Sequence, residues 1–169
     1  GARRVLIVTA DLGRHPGGPE ALVRLARAAG AGVIEHGKRN FFNFPTEDEH
    51  HLGFDPMPEV GEADLILAVE CPVPWIPAHA KLPRAPRVIS IGVDPLFADL
   101  PLRGFPVDLA LAGDPAQTLR ALAQGLDLPA GRLADEGARL AARHQQVFSS
   151  ARAAAAADAA LPTISKRYL

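Results

Sequence analysis

Four apolar runs recur along the chain: VLIVT at 5–9, DLILAV at 64–69, RVISIGV at 87–93 and VDLALA at 107–112. Continuous runs of this length, rich in β-branched residues and leucine, are strands buried on both faces. A shorter one, Val33-Ile34, lies between the first two. The segments separating them are helical or of crossover length, which is what consecutive parallel strands require. Few folds satisfy this pattern. The expectation is a Rossmann-like three-layer α/β sandwich whose central parallel sheet has five to six strands, covered on both faces.

Helix punctuation agrees. Pro19 stands where a first helical residue tolerates it, Leu22, Leu25, Ala26 and Ala29 share one face, and Gly30 supplies a stop. Asp114 with Pro115 opens a second helix, with Leu119, Leu122 and Ala123 turned inward and Gly125 at its end. From Pro129 to about Ala160 the composition shifts to helix formers. Leu133, Leu140 and Val147 recur every seven residues beside Gly137, His144 and Ala151, making one stripe along a long helix. The organisation expected is an α/β domain of nucleotide-binding type over 1–127 and a helical linker over 128–169. The first strand starts almost at the amino end and TISKRYL turns apolar as the sequence stops, so the expectation is a domain of a longer polypeptide.

Bulk properties narrow the function classes. A length of 169 residues suits one sizeable core, and 48% apolar with 22% charged residues is a globular composition. With a net charge of −1 and no basic stripe interleaved with aromatics, nucleic acid is not an expected partner. No apolar run approaches the roughly 20 residues of a membrane helix, so no membrane partner is expected. The single cysteine, Cys71, excludes an internal disulfide and fits a cytoplasmic setting.

Candidate chemistry is sparse. GVIEHGK at 32–38 imitates a phosphate loop, but Val33-Ile34 between its glycines is itself the strand, and Arg39 stands where magnesium needs Ser or Thr. The turn TADLGRHPGGPE after the first strand could offer backbone N–H groups to a ligand. It lacks GxGxxG, and its glycines read first as those of a structural turn leading into a helix. EDEHH at 47–51 gathers acids and imidazoles, yet adjacent side chains diverge, so a solvated or partner-facing loop is expected. Cys71 has no base or helix N-terminus beside it and reads as a small apolar residue. His144, on the inner stripe, reads as a packing histidine.

Three stretches together carry a family resemblance: GKRNFFNFPTEDEHHLGFDP, ADLILAVECPVPWIP, and VISIGVDP followed by VDLALAGDPAQTLRALAQGL. They resemble the central domain of thiamine-diphosphate-dependent enzymes of the acetolactate synthase-like family, over most of residues 4–126. The alanine-rich helix resembles the connector toward the pyrophosphate-binding domain of such enzymes.

The resemblance implies a parent with sister pyrimidine-binding and pyrophosphate-binding domains, a homodimer or homotetramer. Thiamine diphosphate and magnesium would lie between those sisters, for decarboxylation of a 2-keto acid and transfer or release of the aldehyde unit. No cofactor is expected in this chain, and no catalytic or metal residue. Some members hold FAD or another adenine nucleotide at the strand ends, where the corresponding positions here are Thr9, Asp11, Gly92, Asp94, Gly113 and Asp114. FAD is not expected. Thr9-Ala10-Asp11 replaces a glycine run, Pro72 an arginine and Gly92 a ribose-binding acid, which leaves a vestigial groove. The alternative is an adenine-nucleotide-binding module using the groove around Thr9, Asp11, Asp94 and Asp114.

Overall fold

The computed structural model describes residues 2–37, 40–80, 82, 84–100 and 105–159. Strands β1 (Val5–Thr9), β2 (Gly32–Glu35), β3 (Leu65–Val69), β4 (Arg87–Gly92) and β5 (Leu109–Ala112) form one sheet in the order β2-β1-β3-β4-β5. Every neighbouring pair is parallel, with Ile7 opposite Val33 and Leu67, and Leu67 opposite Ile89. The sheet thus has five strands, within the expected range. Helices α1 (Gly18–Ala29), α2 (Met57–Val60), α3 (Pro115–Gly125) and α4 (Ala130–Ala159) complete the fold.

Strand side chains alternate between two cores, as the two-residue period demands. Ile7, Leu67, Val69 and Ile91 meet Leu22 and Leu25 of α1 and Leu119 of α3 on the first face. Leu6, Val8, Ile34, Ile66 and Val88 meet Leu52, Val60, Trp75, Phe105 and Leu140 on the second. Trp75 stands edge-on to Phe105 with ring centroids 4.6 Å apart, and its buried indole Nε1 finds no acceptor. Each fully buried leucine contributes about 1.5–3 kcal/mol relative to exposure.

The predicted boundaries hold for β1, and α1 stops at Gly30, left-handed at φ 59°. The third strand begins one residue later than the pattern suggests and the fifth two residues later. In each case the side chain of an acid just before the strand accepts backbone N–H bonds from neighbouring chain segments. Asp64 accepts N–H bonds from Arg3 and Arg4 at 2.7 and 3.0 Å, and Asp108 accepts from Val88 at 2.6 Å.

The loop after β2 departs from expectation. Glu47 and Glu49 of EDEHH are exposed as expected, but residues 50–53 run along the open edge of β2. Val33 N–H donates to His50 O (2.8 Å), Leu52 N–H to Val33 O (2.8 Å) and Glu35 N–H to Gly53 O (3.1 Å). An edge strand left bare would recruit other chains, and this loop covers it. His51 is wholly buried, and His50 Nδ1 lies 2.9 Å from Ala31 O.

The first part of α4 belongs to the second layer. Leu140 is wholly buried, its methyl close above Gly32. Arg143 Nε donates to Glu59 Oε1 (2.5 Å) and His144 Nδ1 bonds His51 O (2.7 Å), so His144 is the packing histidine that its stripe predicts. Beyond Phe148 the helix is largely exposed. Among the described residues no helix is long and apolar enough to cross a membrane.

Candidate functional site

In an open parallel sheet, ligands bind outside the carboxyl ends of the strands where the connections change direction. In the order β2-β1-β3-β4-β5 that point lies between β1 and β3. The six sequence-predicted site residues all fall along this carboxyl edge, at the ends of β1, β4 and β5.

Their roles differ. Thr9 is wholly buried at the end of β1, and its Oγ1 has no hydrogen-bond partner. Asp11, half-buried, donates its backbone N–H to Glu70 O at 3.1 Å. Exposed Asp94 turns its carboxylate onto Ala98 N–H (2.8 Å), capping the turn after β4. Gly113 N–H donates to Gly92 O at 2.9 Å. Asp114 caps α3 by accepting Gln117 N–H at 2.9 Å, and that bond holds its carboxyl below the ordinary range. A pocket of about 440 Å³ opens at the same edge, lined by Ala10, Asp11, His36, Cys71, Val73 and Ile76 among others. Of the six, Asp11 alone lines it.

The residue that organises this edge is Glu70, which the sequence reading missed. It follows β3 directly, in the left-handed region at φ 45°, a conformation costing a non-glycine residue about 1–2 kcal/mol. Its backbone N–H donates to Ile91 O (2.9 Å) and its carbonyl accepts from Asp11. Its side chain is 5% exposed, and Oε1 accepts Val93 N–H at 2.8 Å. Oε2 lies 3.3 Å from His15 Nε2 and 3.7 Å from Arg14 Nη2. One residue therefore ties the ends of β1, β3 and β4 together. Arg14 Nε is also 3.3 Å from His15 Nε2, so that nitrogen serves Glu70 only when it carries the proton.

Gly92 now has a physical reason. A Cβ there would stand 2.6 Å from Glu70 Oε1, so the missing side chain gives room to the carboxylate beside it. The signal was present in AVECPVP, where an acid follows a buried run without a break.

The 3-10 turn at Leu12–Arg14 occupies the place of a glycine-rich phosphate loop. Gly13 N–H is taken by Asn43 Oδ1 (2.9 Å), and a Cβ on Gly13 would fall 2.0 Å from Phe42 O. The 41–44 loop is thereby pressed against this turn. Asn43, wholly buried, also donates Nδ2 and its backbone N–H to Glu35 Oε2 at 3.0 and 3.3 Å. His51 Nε2 reaches Glu35 Oε1 at 3.0 Å, while its Nδ1 accepts Gly53 N–H at 3.3 Å. This pattern requires a neutral imidazole with the proton on Nε2. Burial pushes the Glu35 carboxyl up, but the bonds from His51 and Asn43 outweigh it and hold it below its ordinary value. The network is a fastening for the loop. Its outer side leaves Phe41 and Phe42 exposed, at the same edge as exposed Val73, Ile76, Val93 and Leu96.

Among the described residues no group of three or more His, Cys, Asp or Glu gathers in a metal-binding arrangement. Cys71 is buried.

No protein-family profile matches the sequence, and no curated protein matches it. Solved structures do match the fold. A protein described as a thiamin diphosphate-dependent enzyme from Mycobacterium smegmatis superposes with TM-score 0.61 at 24% identity, over 78% of this chain and 26% of that one. Benzoylformate decarboxylase from Polynucleobacter necessarius gives 0.60 at 17% identity, over 76% and 25%. The thiamine diphosphate-dependent 4-hydroxybenzoylformate decarboxylase of Rhodococcus jostii RHA1 gives 0.55 at 20%, over 76% and 25%. The chain spans about a quarter of the length of each of these solved chains. It therefore carries the fold of one domain-length part of thiamin diphosphate-dependent enzymes.

Proposed function

We propose that this chain is the non-catalytic central domain of a thiamine-diphosphate-dependent enzyme of the acetolactate synthase-like kind. Residues 1–127 form the domain proper and 128–169 the connector. The observation that carries the reading is the fold shared with a stretch of such enzymes about a quarter of their length, to which the NFP, HLGFDP and VPWIP segments add.

Thiamine diphosphate and magnesium supply carbanion stabilisation when bound, and in this reading sister domains hold them. Among the described residues no three acids, cysteines or imidazoles gather to hold magnesium. The donor set at the strand ends does not fit FAD: the turn after β1 has given its Gly13 N–H to Asn43, and a buried carboxylate stands at the switch point. The role of the domain is then positional. The exposed apolar edge around Phe42, Val73, Ile76 and Val93 suits cover by another part of the parent, in keeping with a homodimeric or homotetrameric cytoplasmic enzyme.

Two measurements test this. The chain joined to its flanking reading frame should release CO₂ from a 2-keto acid only with thiamine diphosphate and magnesium, and activity independent of both would overturn the reading. Thermal shift of the 169-residue chain with FAD, NAD, ADP and coenzyme A should be flat. A rise of several degrees would favour an adenine-nucleotide module built around Thr9, Asp11, Asp94 and Asp114, to which the unpartnered Thr9 Oγ1 would contribute.

A further inference from the structure

Glu70 is a buried carboxylate at the carboxyl edge of the sheet, and the proposed role makes no use of its charge. It sits where a parallel sheet ordinarily meets its ligand, in a backbone conformation that disfavours a side chain. One hydrogen-bond donor and two basic side chains, from two separate loops, face it: the Val93 N–H at 2.8 Å, with His15 Nε2 at 3.3 Å and Arg14 Nη2 at 3.7 Å. A backbone N–H flanked by two basic side chains is the donor set that a phosphate group takes.

We propose that the Glu70 carboxylate is a built-in occupant of an anion subsite, and that this subsite takes a phosphate-bearing ligand once the carboxylate is removed. The inference rests on the reading that the wild-type groove is closed to nucleotides, and it names what closes it. Gly92 is part of the same device, since any side chain there would push the carboxylate off Val93. Like-charge repulsion then keeps phosphate away from the occupied subsite.

The probe is inorganic pyrophosphate, titrated calorimetrically into wild type, Glu70→Gly and Glu70→Ala at matched ionic strength, with the Val93 amide followed by NMR. Glycine suits the left-handed backbone, and alanine provides a second way to empty the position. Both variants should bind pyrophosphate at least about tenfold more tightly than wild type, because an anion regains charge-assisted bonds now made internally. Adding Arg14→Ala should reverse the gain. In wild type the Val93 amide should stay still throughout, and Glu70→Gln, which keeps the size and removes the charge, should gain affinity in the same direction and carries the test if neither truncated variant folds. A folded Glu70→Gly that ignores pyrophosphate, or a wild-type Val93 amide that moves with it, overturns the proposal. Nucleotide binding by wild type would sink the closed-groove reading first. A silent wild type with a silent variant would sink the role of Glu70 alone.

Discussion

The carboxylate of Glu70 lies 2.6 Å from where the first side-chain carbon of residue 92 would be. That distance is well inside van der Waals contact, so the glycine and the glutamate are one feature. Gly92→Ala should destabilise the chain by about 1–3 kcal/mol, the usual cost of forcing atoms into a packed site. Gly92→Asp should be worse still, because it sets two carboxylates side by side. Urea unfolding measures both. A stable Gly92→Asp that binds ADP would contradict the pairing.

Asn43 joins Glu35 on β2 to Gly13 in the turn after β1, and every bond involved is buried or partly buried. Asn43→Ala leaves an ionised carboxylate short of a donor and a backbone N–H without an acceptor. A loss of about 2–4 kcal/mol is expected, since each stranded group costs about 1–3. Hydrogen exchange should show the 41–53 loop opening in this variant while α3 stays protected.

Acid should loosen the same loop. The Glu35 carboxyl is held below its ordinary value in the folded chain, so the unfolded state binds its proton at higher pH than the folded state does. The resulting stability is present in full above the unfolded value and drains away as pH falls through the folded one. Melting temperature followed downward from about pH 7 should fall less steeply in Glu35→Gln than in wild type, although Glu35→Gln begins less stable. Parallel curves would show that Glu35 carries none of the acid sensitivity.

Leu140→Ala should cost about 2–5 kcal/mol, as it empties a wholly buried position against β2. Ala151→Ser, eleven residues on and exposed, should stay within about 0.5 kcal/mol. Equal effects would mean that the whole of α4 packs alike. Thermal denaturation distinguishes the cases.

The sheet was readable because β1 and β3 are buried along almost their whole length and are apolar but for Thr9, while β5, although largely unburied, keeps the same apolar run. Val5–Thr9 needed nothing but its own five residues. Asp114 was readable as a cap for a similar reason, since its bond to Gln117 spans three residues. The 40–54 loop was opaque. His51 looks like one of several polar residues in EDEHH, and only the approach of Glu35, sixteen residues away, turns it into a core group. Glu70 was overlooked on the same ground. Its partners come from the turns after β1 and β4, and no local spacing announces them. The fit of Gly92 to Glu70 was equally out of sight, because the two are neighbours in space and not in sequence.

The chain has one tryptophan, and it lies in the second layer against Phe105 with an unbonded indole N–H. Its emission is thus an intrinsic optical reporter for that layer alone. The layer formed by α1 and α3 stays dark, so loss of the one can be timed separately from loss of the other without attaching a dye.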